Sequence, residues 1–407
     1  MTLATDPLLA PLPADRPRVE RVARIPAGFL GMLALIVSIE AYLGARPLEF
    51  NTSVSLSWVY SARAIPREAP GRDVLFFGDS LIKFGLIPQV FEKHSGLSAH
   101  NFAGARAVAP TTYFLFRRAL ESGSRPAAVI VDFKPVLLGC NVEYALRDEQ
   151  AVLSWREANE LAATNRSAIG GGVLFSPAFR QDSLWIRIVL GRALASYRAR
   201  FEVRAWLRAI VTGEPDPNVE TNRALVRNWN VNGGAHVQPE NPAFDGVARA
   251  HDVFTTGAQM TLLAPVNAAF VEKFFALAAK RGIRVYWLLP PSSPQFQARR
   301  EQTGAEATFL AAVRKVHKRF PNVTVLDARH SGFDHTLFCD LAHLSGRGAR
   351  ALSRSTAEAI QDNMNDPLRS ARRWIDLPLR RADDEVVEDL DQSRAMVRSE
   401  GAAEDHS

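Results

Sequence analysis

The 407-residue, 44.8 kDa chain is 47% hydrophobic and 23% charged, a globular composition that excludes fibrous and wholly disordered architectures. Its two cysteines, Cys140 and Cys339, are too few and too far apart for a disulfide scaffold or a cysteine-built zinc site. The net charge of +6 combines a body at +13 with a segment from Ala382 to Ser407 at −7, where nine carboxylates face only Arg394 and Arg398.

The first element in chain order is an uncharged run, Ile25 to Ile39 (IPAGFLGMLALIVSI), which continues after Glu40 through Ala41 to Ala45. About 20 such residues suffice to cross a hydrocarbon layer of roughly 30 Å as a helix. Four arginines precede it within residues 16–24, RPRVERVAR, so the positive-inside rule keeps 1–24 cytoplasmic and exports the chain beyond Arg46. The expectation is a single-pass anchor at 25–45. A cleaved signal peptide, giving a secreted product, and a buried core helix are the competing readings, Glu40 favouring the last.

Asp73 to Phe77 (DVLFF), Ala127 to Phe133 (AAVIVDF) and Ile283 to Leu289 (IRVYWLL) are continuous apolar runs of the kind found in strands buried on both faces, and Val323 to Leu326 is a fourth. Helical patterns at Pro110–Ser122, Pro265–Arg281, Ala305–Phe320 and Ser345–Asp362 alternate with them. This alternation predicts an α/β domain over 70–365, a parallel sheet with helices on both faces. The rhythm fails between 140 and 262, which is read as a mostly helical insertion. Within it, Ser176 to Val211 places apolar residues at helical spacing with seven arginines between, predicting basic amphipathic helices that pack on the core or lie on a membrane surface. Thr212 to Asp252 reads as loop, and 366–407 as a charged, solvated and disordered tail. His94, His236 and His251 lack metal-ligand spacing and are read as surface or loop residues, so no metal or cofactor is expected.

Two motifs carry candidate chemistry. The first apolar run leads into Gly78-Asp79-Ser80-Leu81, which places a serine at a strand-to-helix turn. The last predicted helix is preceded by Asp340-Leu341-Ala342-His343-Leu344, in which an acid and a histidine three positions apart can face one site, the histidine as proton acceptor and the acid orienting it. In a parallel sheet both motifs fall on the carboxyl edge.

Together these blocks resemble those of the SGNH/GDSL hydrolase family. The resemblance implies a three-layer, flavodoxin-like parallel sheet, with Ser80 as nucleophile, His343 as general base and Asp340 as its orienting acid. It also implies an oxyanion hole of the Ser80 and Gly104 amides. The middle blocks depart from the family pattern. The second block reads His100-Asn101-Phe102-Ala103-Gly104-Ala105-Arg106, with Arg106 where the usual spacing puts a glycine. The third block's Gly-x-Asn-Asp is replaced by Val131-Asp132-Phe133-Lys134-Pro135, so one oxyanion donor is either missing or supplied by Lys134 or Asn141. Asp79, Asn101, Arg106 and Lys134 are therefore secondary candidates. The expected activity is hydrolysis of ester bonds, with acylated carbohydrate of the cell envelope as substrate class. Transfer of the acyl group to a sugar hydroxyl, or a catalytically impaired carbohydrate-binding protein, are the alternatives. No nucleic-acid recognition motif accompanies the arginines. Cys140 and Cys339 are read as small core residues, or as a disulfide in an exported domain.

Overall fold

The four apolar runs become strands β1 (Val74–Phe77), β3 (Ala128–Val131), β4 (Arg284–Leu289) and β5 (Val323–Asp327) of one all-parallel sheet. A computed structural model describes residues 26–140, 146–169, 186–213, 216–247, 264–366, 372–381 and 386–404. Successive side chains of each strand enter different cores. Leu75, Phe77, Val129, Val131 and Trp287 pack with the helices Ser53–Glu68, Ala109–Glu121 and Pro265–Lys280, whereas Val74, Phe76, Ile130, Tyr286 and Leu288 pack with Pro88–Ser95 and Gly346–Asn365. Both faces of the sheet are thus buried, which explains why these strands show no polar alternation.

The sheet has six strands in the order β2-β1-β3-β4-β5-β6. Two of them were not expected from sequence. β2 (Ala99–Asn101) is three residues long, and β6 (Trp374–Asp376) corrects the expectation of a solvated tail over 366–407. Val325, Leu326 and Asp327 align with Trp374, Ile375 and Asp376, and Leu377 donates its amide to the Asp327 carbonyl. Further on, the helix Leu390–Glu404 packs on the helix Pro217–Val231, where Arg227 pairs with Glu388 and Arg398 with Glu220. Arg227 of the insertion answers the acidity of the terminal segment, and Arg398 of that segment pairs with an acid of the insertion, so the charge that suggested solvation is used in docking.

The insertion's described part is mostly helical. Pro217–Val231 is a helix where loop was expected: Asp216 accepts from the Asn218 amide as N-cap and Pro217 opens the first turn. Residues 176–185 of the basic amphipathic stretch, residues 1–25 with the arginine-rich 16–24 and Ile25 of the anchor, Asn141 and His251 lie outside the described residues.

The helix Ala27–Ala45 has a mean hydropathy of 1.8 and is 6% buried, long and apolar enough to cross a membrane by length and composition. Glu40, the charge that spoke against a span, accepts hydrogen bonds from the Ser196 amide and hydroxyl of the insertion. The chain then passes through the helix Ser53–Glu68, whose Trp58 is fully buried, and enters β1 at Val74. The apolar helix is therefore joined to the α/β domain by packed structure.

Candidate active site

Ser80 opens a six-residue helix directly after β1, and three features shape the turn that presents it. Gly78 has φ +132°, and a Cβ there would lie 1.9 Å from an Asp132 carboxyl oxygen, so only glycine fits. Asp79 is the helix N-cap, its carboxylate accepting the Leu81 amide at 2.7 Å. The Asp79 amide in turn donates to Asp132 Oδ1 at 2.9 Å. Asp132 directly follows β3, the neighbouring strand, in which Val131 aligns with Phe77.

The Asp340–His343 segment lies against the same edge. Ser80 Oγ is 2.8 Å from His343 Nε2, and His343 Nδ1 is 2.7 Å from Asp340 Oδ2. The second Asp340 oxygen accepts the amides of Ala342 and His343, each at 2.8 Å. The carboxyl is held down at about 2: its partial desolvation raises it, and the hydrogen bonds and charge from His343 together with these two amides outweigh that effect. The Phe84 ring meets the His343 imidazole edge-on at 5.1 Å. The loop is pinned by a short antiparallel bridge between Phe338 and Leu344 and by Ser345, which caps the helix Gly346–Asn365. Asn241 of the insertion donates to the Cys339 carbonyl at 2.8 Å. Cys140 and Cys339 are free thiols, and burial, reinforced by Asp340, pushes the Cys339 thiol up to about 12, so it stays protonated.

The structure does not bring all the secondary candidates to this centre. The Gly104 amide donates to the Gly78 carbonyl at 3.1 Å, so the expected second oxyanion donor is already engaged; a Cβ at Gly104 would also strike the Trp58 ring at 2.6 Å. Asn101 is completely buried and structural. Its amide nitrogen donates to the Ile82 and Leu86 carbonyls, closing the carboxyl end of the Ser80 helix, and its oxygen accepts from Ala103. Arg106 sits exposed at the turn with φ +61°. The Ser80 amide is the first of its helix and therefore has no intrahelical acceptor. Lys134, nearly buried, lines an apolar pocket together with Phe133, Phe296, Leu81 and Ala342, of which Leu81 follows Ser80 in sequence and Ala342 precedes His343. About 30 Å³ of this pocket is open to a water-sized group. Arg300 and Arg329 also line it, and Glu306 bridges the two.

Two groupings of buried titratable residues are not evident from the sequence, the first joining the candidate Asp79 to Asp132. Asp132 and Asp79 are 2% and 1% exposed, and the Oδ2 atom of each is buried without a hydrogen-bond partner. Burial first, and then the Asp79 charge, drive the Asp132 carboxyl well above the ordinary carboxylate range, so the pair retains a proton. The second group centres on Lys83, fully buried on the Ser80 helix, whose ammonium donates to the Gly234 carbonyl at 2.7 Å. His236, expected at the surface, is buried against it, and burial followed by the Lys83 charge lowers the pKa of His236 and brings that of His100 to about 3. Among the described residues no cluster of three or more His, Cys, Asp or Glu is arranged to hold a metal ion.

Compared with models of known protein families and with curated proteins, the chain matches none.

Proposed function

We propose that the chain is a serine-dependent ester hydrolase of the SGNH/GDSL type. In this reading it is held to a cell membrane by residues 25–45 and acts outside the cytoplasm on O-acyl esters of carbohydrate. The observation that carries the proposal is the continuous hydrogen-bonded series Ser80–His343–Asp340 at 2.8 and 2.7 Å. The order of the first five strands, 2-1-3-4-5, supports a flavodoxin-like sheet, whose ligands bind where the carboxyl ends of the strands around β1 and β3 diverge. The arginines of residues 16–24 support export of the domain.

In the reaction Ser80 Oγ attacks the ester carbonyl carbon while His343 Nε2 takes the hydroxyl proton. Asp340 fixes the ring so that Nδ1 carries hydrogen and stabilises the imidazolium. The oxyanion faces the Ser80 amide, with the Lys134 ammonium supplying the charge that the absent third-block Asn does not. Collapse expels the sugar oxygen, which takes the proton from His343 and leaves acyl-Ser80. Water then gives a proton to His343 as its oxygen attacks the acyl carbon, and the carboxylic acid departs as Ser80 is reprotonated. The narrow apolar pocket beside Leu81 and Ala342 receives the acyl group and suits a short one such as acetyl.

The full chain in detergent micelles, assayed against short-chain aryl esters and acetylated sugars, tests the reading. Ser80→Ala loses turnover; unchanged turnover refutes it.

A further inference from the structure

A second cavity, polar where the first is apolar, lies at the carboxyl end of the apolar helix, away from the Ser80 centre. Its volume is about 250 Å³, against roughly 30 Å³ for one water's share of the liquid, and Leu43 and Gly44 form part of its wall. Four arginines line it: Arg63, Arg118, Arg192 and Arg198. Glu157 neutralises Arg118 through two hydrogen bonds. Arg192 and Arg198 instead donate to the carbonyls of Leu153 and Gly191, and the Nε–H of each is buried without an acceptor. Glu40, which faces Arg198, is already bound by Ser196. Burial, then the charge of Arg118, lowers the pKa of Arg192; burial, then Arg192 and Arg63 against Glu40, lowers that of Arg198. Convergent guanidiniums with unsatisfied donors are stabilised by an anion.

We infer that this cavity is a binding site for a phosphate group, supplied by the headgroup of an anionic phospholipid. The chemistry of recognition is phosphate on planar guanidinium donors. The lipid source is argued from position: the cavity wall is continuous with the apolar helix, so this part rests on that helix being a membrane anchor. The neighbouring helix Arg200–Thr212 exposes Leu207, Ile210 and Val211 beside the arginine row 200, 204 and 208, a surface suited to the headgroup boundary.

The test measures unfolding temperature and retained lipid by native mass spectrometry on the full chain in neutral detergent micelles. Phosphatidylglycerol, phosphatidylcholine and inorganic phosphate are added separately. Phosphatidylglycerol is expected to raise the unfolding temperature and to remain bound, with phosphatidylcholine doing neither. Arg192→Gln combined with Arg198→Gln weakens that binding on the order of tenfold to a hundredfold, and the exposed Arg63→Gln, which leaves the half-buried pair intact, weakens it less. An equal shift from inorganic phosphate, lost in the double variant, upholds the phosphate site and overturns the lipid source. No shift from either phosphate-bearing probe, or a shift that survives in all variants, overturns the site itself. Ester turnover by the same samples reports separately on the Ser80 reading.

Discussion

Replacing Asp132 with Asn probes the turn that presents Ser80. Asp132 holds a proton in the folded protein because it is buried beside Asp79, while in the unfolded chain it titrates near its ordinary value of 3.8. A group whose folded pKa is raised costs stability as pH rises from the unfolded towards the folded value. Its contribution there falls by about 1.4 kcal/mol per pH unit and is constant outside that window. The amide of Asn reproduces the neutral acid: its oxygen accepts the Asp79 amide and its nitrogen can donate to Asp79 Oδ2, which has no partner. D132N therefore gains on the wild type as pH rises above about 4, until the wild-type carboxyl ionises. Lys83, also fully buried, has a lowered pKa and gives a pH slope of opposite sign, so the informative quantity is the difference between the two proteins at each pH. Asp132→Ala, by contrast, removes the acceptor for a buried amide and loses about 1–3 kcal/mol. Denaturant midpoints of the full chain in micelles between pH 5 and 9 measure all three. The reasoning fails if D132N is less stable than the wild type throughout, or if its advantage shrinks with rising pH across the window.

Other substitutions at the site have equally definite outcomes. Asp340→Asn leaves the fold intact and lowers kcat by about 10⁴-fold, the loss seen when the carboxylate of a serine protease triad is replaced by an amide, measured with a short-chain aryl ester. Asp340 also contributes stability that is complete above its ordinary pKa of 3.8 and is lost progressively as pH falls from there to about 2; acid unfolding of the Asn variant lacks it. Lys134→Gln lowers kcat by about 10²-fold with KM little changed, because its charge acts on the oxyanion, as steady-state kinetics would show. Gly78→Ala fails to accumulate as folded protein in an expression and circular dichroism comparison, since its backbone region alone costs about 1–3 kcal/mol and the added carbon overlaps Asp132.

The apolar runs at β1, β3, β4 and β5 were legible because strands buried on both faces need no polar alternation. β2 and β6 were not: Ala-His-Asn and Trp-Ile-Asp are three residues each, and their pairing is decided by neighbours far away in sequence. The helix Pro217–Val231 had a readable start in Asp216-Pro217, but Asn and Gly around it made the whole stretch resemble loop. At the site, Ser80, Asp340 and His343 were visible as two local motifs at strand ends. Asp132 was not, because its meeting with Asp79 depends on the register of β1 against β3. Asn101 and Gly104 were selected by motif spacing, and the structure uses them to close a helix and to seat Trp58. Arginines spaced widely in sequence converge on the cavity beside the apolar helix, which only tertiary packing reveals.

The central claim is that Ser80 is an activated nucleophile. Treating the folded full chain with a fluorophosphonate and mapping the adduct by peptide mass spectrometry tests it most directly. The expected result is one phosphonyl group on Ser80, greatly slowed in His343→Ala and absent in Ser80→Ala. A folded wild type that remains unlabelled at Ser80, or is labelled there as fast without His343, contradicts it.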